Sequence, residues 1–299
     1  MVNKATILKN KIIENKTIEI MGAHNGLSAK MVEKHGFDGI WASGFEISAS
    51  YGKPDANILT MSEFVHAAKQ ITEASSLPVI ADCDTGFGDL NNVNRMINEY
   101  EQIGVAGVCI EDKVFPKTNS YIPGRQKLEN IDLFCEKLYA AQNAKKNPDF
   151  MVIARTEALI AGQGIDEALK RAHAYIKCGA DMILIHSKQE TPDEIFDFCK
   201  LWNSSAPIAV VPTSYPTVTI KDLERNNINM VIYANQGLRA AIQAVDNTLR
   251  QLKQSRCLES IIPQLTSMKE IFELQGMNEM ISLESKIKDE VSSIRLTMK

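Results

Sequence analysis

The chain has 299 residues, of which 44% are apolar and 23% charged, with a formal net charge of -4. These fractions are those of an ordinary globular protein, and so mild an acidity gives no reason to expect nucleic acid or an anionic membrane as partner. The N-terminal stretch "MVNKATILKNKIIENKT" is too polar for a signal-peptide core, no apolar run reaches membrane-spanning length, and the cysteines (Cys83, Cys109, Cys135, Cys178, Cys199, Cys257) lack the paired spacing of zinc sites, so a reduced, cytoplasmic protein is expected.

Short apolar runs that end in polar or small residues alternate along the chain with stretches of helical period. The first, "TIEIMGAHN" (17–25), ends on His24 and Asn25. "GIWASG" (39–44) follows, carrying Trp41, Ser43 and Gly44. In the loop behind it, "KPDAN" reads as a turn, and Asp55 is either a turn-capping aspartate or a nucleophile or base at the mouth of a site. "LPVIADCD" (77–84) ends on Asp82 and Asp84, whose period-two spacing projects both carboxylates to one side of an extended chain. The helical stretch "LNNVNRMINEYEQIG" then closes on Gly104, a C-cap residue. "GVCIED" (107–112) ends on Glu111 and Asp112 and opens into the polar loop "KVFPKTNS", with Lys113, Lys117 and Asn119. Pro116 and Pro123 restrict that loop, and Gly124 is a candidate hinge. "FMVIART" (150–156) places Arg155 ahead of Glu157, and "DEALKRAHAYIKCG" is helical up to Gly179. The last runs are "MILIHS" (182–187) with His186, "PIAVVPT" (207–213) with Thr213, and "MVIYAN" (230–235) with Asn235. The tail "SMKEIFELQGMNEMISLESKIKDEVSSIRL" adds helix suited to subunit contacts.

Eight such units predict a (β/α)8 barrel over about 17–245 with a helical tail over about 246–299. No Pro/Gly/Ser-rich linker divides the chain, so 1–299 reads as a single domain. No Gly-x-Gly-x-x-Gly fingerprint follows a strand, which disfavours an open doubly wound sheet. In a barrel the chemistry gathers at the C-terminal strand ends. There Asp82, Asp84 and Glu111 repel one another unless a cation or proton compensates, and oxygen-only ligands suit a hard ion, Mg2+ with Mn2+ as substitute. Arg155 is either a fixed cation for a carboxylate or phosphate, or a rim partner of Glu157. His186 is either a site residue or a satisfied structural histidine. Metal, arginine and mobile lysine together suit a small anion with carboxylate and phosphoryl groups.

The loop "EDKVFPKTNS" (111–120), with "GAHNGLSA", "GIWASG", "PDAN", "ADCDTGFG", "IART", "ILIHSK", "VPT" and "ANQGLRA", resembles the phosphoenolpyruvate mutase family of the isocitrate lyase superfamily over nearly the whole chain. The resemblance implies an α/β barrel whose last helix is swapped between subunits of a homodimer or homotetramer, with Mg2+ at the site. It also implies interconversion of phosphoenolpyruvate and phosphonopyruvate, the carbon–phosphorus bond-forming step that begins phosphonate biosynthesis. By motif, Asp55 matches the proposed phosphoryl acceptor, and Asp82, Asp84 and Glu111 match the metal-binding carboxylates. Ser43 and Gly44 match the carboxylate-binding turn, and Trp41 the residue flanking the substrate. Lys117, Asn119, Arg155 and His186 match the groups around the transferring phosphoryl. Superfamily lyases carry a Lys-x-Cys-Gly-His loop that this chain lacks. Phosphonopyruvate hydrolase, giving pyruvate and phosphate, is the nearer alternative, and "GFEISASYGKPDANILTMS" with "VPTSYP" is similar to it. The Lys-x-Asn-Ser pattern at 117–120 favours the mutase, because the hydrolase loop lacks that asparagine. A barrel that binds a phosphorylated metabolite without turnover is the third reading, and the retained acid, base and metal set argues against it.

Overall fold

Each of the eight apolar runs contains a strand, and all of these but the fifth stop one or more residues short of the polar end of the run. The computed structural model describes residues 3–14, 17–122, 124 and 126–297. The N-terminal elements are α1 (Lys4–Ile13), β1 (Ile18–Ala23), α2 (Gly26–Lys34), β2 (Gly39–Ala42), α3 (Gly44–Ser50) and α4 (Met61–Ala74). They are followed by β3 (Val79–Asp82), α5 (Leu90–Gln102), β4 (Gly107–Glu111), α6 (Ile131–Ala144), β5 (Met151–Thr156) and α7 (Gly164–Lys177). The remaining barrel elements are β6 (Met182–Ile185), α8 (Asp193–Leu201), β7 (Ile208–Val210), α9 (Ile220–Arg225) and β8 (Met230–Tyr233), and α10 (Gln236–Ser255) follows in sequence. All strand pairings are parallel, each strand joins the next in sequence, and β8 returns to β1, so the sheet closes into a barrel.

The strands are buried on both faces, which explains their nearly continuous apolar sequences. Val79, Ala81, Val108, Ile110, Val152, Ala154, Ile183 and Ile185 pack in the cluster shared with the outer helices. Ile80, Cys109, Ile153 and Leu184 alternate with them and pack in a separate cluster with Trp41 inside the barrel. Ala5, Leu8 and Ile12 of α1 join this inner cluster. The helices begin where the sequence supplies caps. Asn25/Ser28, Thr60/Glu63, Asp89/Asn92 and Thr219/Asp222 form reciprocal capping boxes. Gly104 (φ 81°) and Gly179 (φ 105°) end α5 and α7 in the left-handed region, as their sequence positions require.

The chain divides into one compact unit ending at Leu238 and a second running from Arg239. The second holds most of α10, two short 3-10 turns (Leu258–Ser260 and Ile262–Gln264), α11 (Met268–Gln275) and α12 (Met277–Thr297). Among its large apolar side chains, Leu249, Met268, Phe272, Ile281 and Ile287 are exposed. Among the described residues, no helix is long and apolar enough to cross a membrane.

Candidate active site

The strand alternation determines which residues reach the mouth of the barrel. Two residues beyond Ile80, Cys109, Ile153 and Leu184 of the inner cluster stand Asp82, Glu111, Arg155 and His186. Glu111 and Arg155 are direct ladder partners between β4 and β5. Together with Trp41 and Ser43 these side chains line a cavity of about 320 Å3. Asp55, Lys117 and Asn119 line it from the loops, and Thr213 and Asn235 from the ends beyond β7 and β8. Gly44 lies behind this wall. Its N–H donates to Asp82 Oδ2 at 3.3 Å, and a Cβ there would stand 3.0 Å from the same oxygen.

Asp84 reaches the site by a route the sequence did not indicate. The strand ends at Asp82, and Asp84 has φ 50°, so the two carboxylates are not neighbours on one extended face. Asp84 is buried, and Asn57 Nδ2 donates to its Oδ2 at 2.7 Å. Lys117 Nζ lies 2.5 Å from Asp84 Oδ1 and 2.9 Å from Asp55 Oδ1. Asn119 Nδ2 donates to Asp55 Oδ2 at 2.8 Å, and the backbone N–H of Lys117 donates to Asn57 Oδ1 at 2.5 Å. The loop that carries Lys117 and Asn119 is fastened at its base. Lys113 bridges antiparallel to Leu128, Val114 N–H donates to Lys127 O, and Glu129 N–H donates to Asp112 O. Of the proposed conformational restraints, Gly124 adopts φ 76° and Pro123 lies outside the described residues.

Arg155 combines both roles open to it, since it lines the cavity and pairs with Glu157, Nε to Oε1 at 2.6 Å. His186 Nδ1 is 2.8 Å from the same Glu157 oxygen and 2.9 Å from Arg155 Nη2. Protonated, that nitrogen donates to Glu157; unprotonated, it accepts from Arg155. Ser120 joins the loop to this group. Its hydroxyl donates to Glu157 Oε2 at 2.6 Å and accepts from Lys113 Nζ at 2.7 Å and Arg155 Nη2 at 3.1 Å.

Burial opposes ionisation of Asp55, yet Lys117 and the Asn119 amide hold its carboxyl below the usual range. Burial raises Asp82 and pushes Asp84 up to about 7, with the other carboxylates adding to the effect and Lys117 opposing it. Burial also opposes the charge on Glu157, but Arg155, His186 and Lys113 keep it ionised far into acid. Burial lowers His186. Asp55, Asp82, Asp84, Glu111 and Glu157 therefore face fewer fixed cations (Lys113, Lys117 and Arg155) than would neutralise them. Glu111 Oε1 is buried and has no hydrogen-bond partner. An oxygen-only, net-negative set with an unsatisfied carboxylate oxygen fits a hard divalent cation. Among the described residues, however, no three His, Cys, Asp or Glu side chains are drawn into a metal-holding group, and Lys117 bridges Asp55 and Asp84 instead.

Several participants were not legible as such. Asn57 looked like an ordinary turn residue of "PDAN", and its bonds to Asp84 and Lys117 span 27 and 60 residues. Lys113 and Asp112, by contrast, are the structural ion-pair partners that their loop charges suggest, meeting Glu157 (3.0 Å) and Arg171 (3.2 Å) in buried pairs. His24 is absent from the cavity lining and pairs through Nδ1 with Glu46 Oε2 at 2.8 Å, next to the Ser43 turn.

The family model described as phosphoenolpyruvate phosphomutase matches residues 8–253. The phosphoenolpyruvate phosphomutase of Tetrahymena pyriformis is 43% identical over 284 residues, covering 95% of each chain. A crystal structure of phosphoenolpyruvate phosphomutase from Streptomyces platensis subsp. rosaceus superposes with a TM-score of 0.94 at 48% identity, covering 95% of this chain and 99% of that one. A crystal structure of phosphonopyruvate hydrolase in complex with oxalate and Mg2+ superposes with a TM-score of 0.90 at 43% identity, with the same two coverages, 95% and 99%.

Proposed function

Because the chain belongs to the phosphoenolpyruvate phosphomutase family, we propose that it is an isomerase interconverting phosphoenolpyruvate and 3-phosphonopyruvate. The observation that carries the choice of reaction is the Asn119 amide, which the loop places against Asp55 Oδ2 at 2.8 Å. A phosphoryl group attached at Asp55 would lie beside that amide and the Lys117 ammonium. Two donors there neutralise its charge and take positions that water would otherwise fill.

The chemistry runs from phosphonopyruvate as follows. The C–P bond breaks, its electrons remain on the pyruvate enolate, and the phosphorus bonds to an Asp55 carboxylate oxygen. The enolate oxygen then attacks the phosphorus and releases Asp55, giving phosphoenolpyruvate. The turn at Ser43 and Gly44 orients the substrate carboxylate through Ser43, which lines the cavity, with Gly44 supporting it from behind; Trp41 flanks it, and Arg155 and His186 hold the phosphoryl oxygens. Asp82, Asp84 and Glu111 are the residues to hold Mg2+, or Mn2+ in its place. When bound, that ion neutralises charge on the pyruvate-like oxygens. The unsatisfied Glu111 oxygen and the Mg2+ in the hydrolase complex support this reading.

Hydrolysis to pyruvate and phosphate is the second reading, favoured by a hydrolase of comparable identity and fold similarity. Incubation with phosphonopyruvate and Mg2+, followed by phosphorus NMR, separates the outcomes. Phosphoenolpyruvate identifies the mutase, pyruvate with free phosphate identifies the hydrolase, and no product leaves a binding protein. The wider reading is a cytoplasmic homodimer or homotetramer that begins phosphonate biosynthesis, built on a single barrel domain with a helical tail. The exposed apolar side chains of α11 and α12 support association through the tail, and the reading includes a last barrel helix swapped between subunits.

A further inference from the structure

We infer that Asn57 is a positioning residue that ties the Asp84 carboxylate to the loop after β4, so that Lys117 is held by its backbone and its side chain at once. Three contacts form a closed ring. The Lys117 N–H donates to Asn57 Oδ1 (2.5 Å), Asn57 Nδ2 donates to Asp84 Oδ2 (2.7 Å), and Lys117 Nζ stands 2.5 Å from Asp84 Oδ1. The ring joins segments from the α3–α4 loop, the turn just beyond β3 and the loop after β4, far apart in sequence.

Only a carboxamide suits the middle of this ring. It offers an acceptor to the loop N–H and a donor to the carboxylate from one rigid group. An aspartate at 57 keeps the acceptor but faces Asp84 with a second negative charge, and a glutamine adds a methylene that displaces both ends. The backbone at Asn57 has φ 55°, a conformation that asparagine, aspartate and glycine tolerate better than other residues. Asp84 is itself left-handed at φ 50°, so two unusual backbone positions meet through this one amide. Neighbouring Asp55 adds the bonds to Lys117 Nζ and Asn119 described above, so the short turn 55–57 makes the loop's contacts on this side of the mouth. On the opposite side, Tyr121 Oη lies 3.2 Å from Ser214 Oγ.

The structural part of this inference is independent of substrate; its chemical consequence rests on the reaction proposed above. With the ring broken, the Lys117 ammonium and Asn119 amide lose their registration over Asp55, and water gains access to the transferring phosphoryl group.

The test compares wild type with Asn57→Gly, which keeps the backbone conformation and removes the amide, and Asn57→Asp, which keeps the size and removes the donor. Limited trypsin digestion of the metal-free proteins, read by mass spectrometry, reports cleavage after Lys117. Loss of the ring's hydrogen bonds is expected to speed cleavage there about tenfold in either variant, with circular dichroism unchanged. Turnover of phosphonopyruvate with Mg2+ is then expected to yield a larger share of pyruvate and phosphate than wild type gives. A folded variant cleaved at the wild-type rate overturns the inference, and if Asn57→Gly does not fold, Asn57→Asp decides it alone. A wild type that makes no phosphoenolpyruvate refutes the proposed reaction but leaves the proteolysis result to stand or fall on its own.

Discussion

Asn119 Nδ2 donates to Asp55 Oδ2 at 2.8 Å, joining the loop after β4 to the α3–α4 loop across 64 residues of chain. Removing one preorganised donor at a reacting centre typically slows catalysis about 10²–10³-fold. Asn119→Ala should therefore lose about a hundredfold in phosphoenolpyruvate formation. Asn119→Thr should divert product to pyruvate and phosphate. Coupled lactate dehydrogenase and phosphate assays give both yields, and an unchanged ratio in the threonine variant would remove the asparagine from the choice of reaction.

Asp84 gives the protein a pH dependence opposite to that of ordinary acid denaturation. Burial and the adjoining carboxylates raise its folded pKa to about 7 from the ordinary aspartate value of 3.8. Between those limits the folded protein holds a proton that the unfolded chain has released. Stability contributed by this group is therefore full below about pH 4 and falls as pH rises through 7. Thermal melts of metal-free protein across that window should show a decline that Asp84→Asn lacks. Parallel curves for the two proteins would mean the shift is absent.

Glu111 bears the clearest unsatisfied oxygen of the carboxylate group. A ligand that binds only the folded state raises its stability with concentration, by about 2.7 kcal/mol at a hundred times Kd. Mg2+ should accordingly raise the melting temperature of wild type, and Glu111→Gln should require a much higher concentration for the same rise. Equal Mg2+ titrations for both proteins would exclude Glu111 as a ligand.

Asp112 stabilises the fold from behind the site. Its carboxylate accepts from the Tyr175 hydroxyl (2.7 Å), the Glu157 N–H (2.8 Å), the Thr156 hydroxyl (3.1 Å) and Arg171 (3.2 Å), all without solvent exposure of its own side chain. Truncating one member of a buried ion pair typically costs about 3–5 kcal/mol. Asp112→Ala should lose stability on that scale in urea unfolding, and a loss below about 1 kcal/mol would show the network to be dispensable.

The parts of the site carried on strands were readable because a buried barrel strand alternates strictly. Asp82, Glu111, Arg155 and His186 each stand two residues beyond an interior apolar position, so sequence spacing alone aims them at the mouth. That logic ends where the strand ends. Asp84 was assigned by the same spacing, yet a left-handed backbone carries it round to Asn57 and Lys117. Asn57, Ser120 and Lys113 were hidden for a different reason. Their decisive partners, Asp84 for Asn57 and Glu157 for Ser120 and Lys113, are distant in sequence, and nothing local marks a polar side chain as facing a carboxylate rather than water. Residues 111–113 show the contrast within three positions: Glu111 lines the cavity, Asp112 turns into the structural network, and Lys113 crosses to Glu157.

The fastening of the loop base has an evolutionary consequence. The Lys113–Leu128 bridge and its flanking bonds, Val114 to Lys127 and Glu129 to Asp112, close the circuit of backbone bonding before the segment between them begins. The ladder from β4 to β5 thus does not depend on what that segment contains. It is an exchangeable cassette, open to changes of length and composition that leave the barrel's own bonding intact. A single scaffold can in this way acquire a new fate for its bound phosphoryl group through substitutions confined to one stretch of chain.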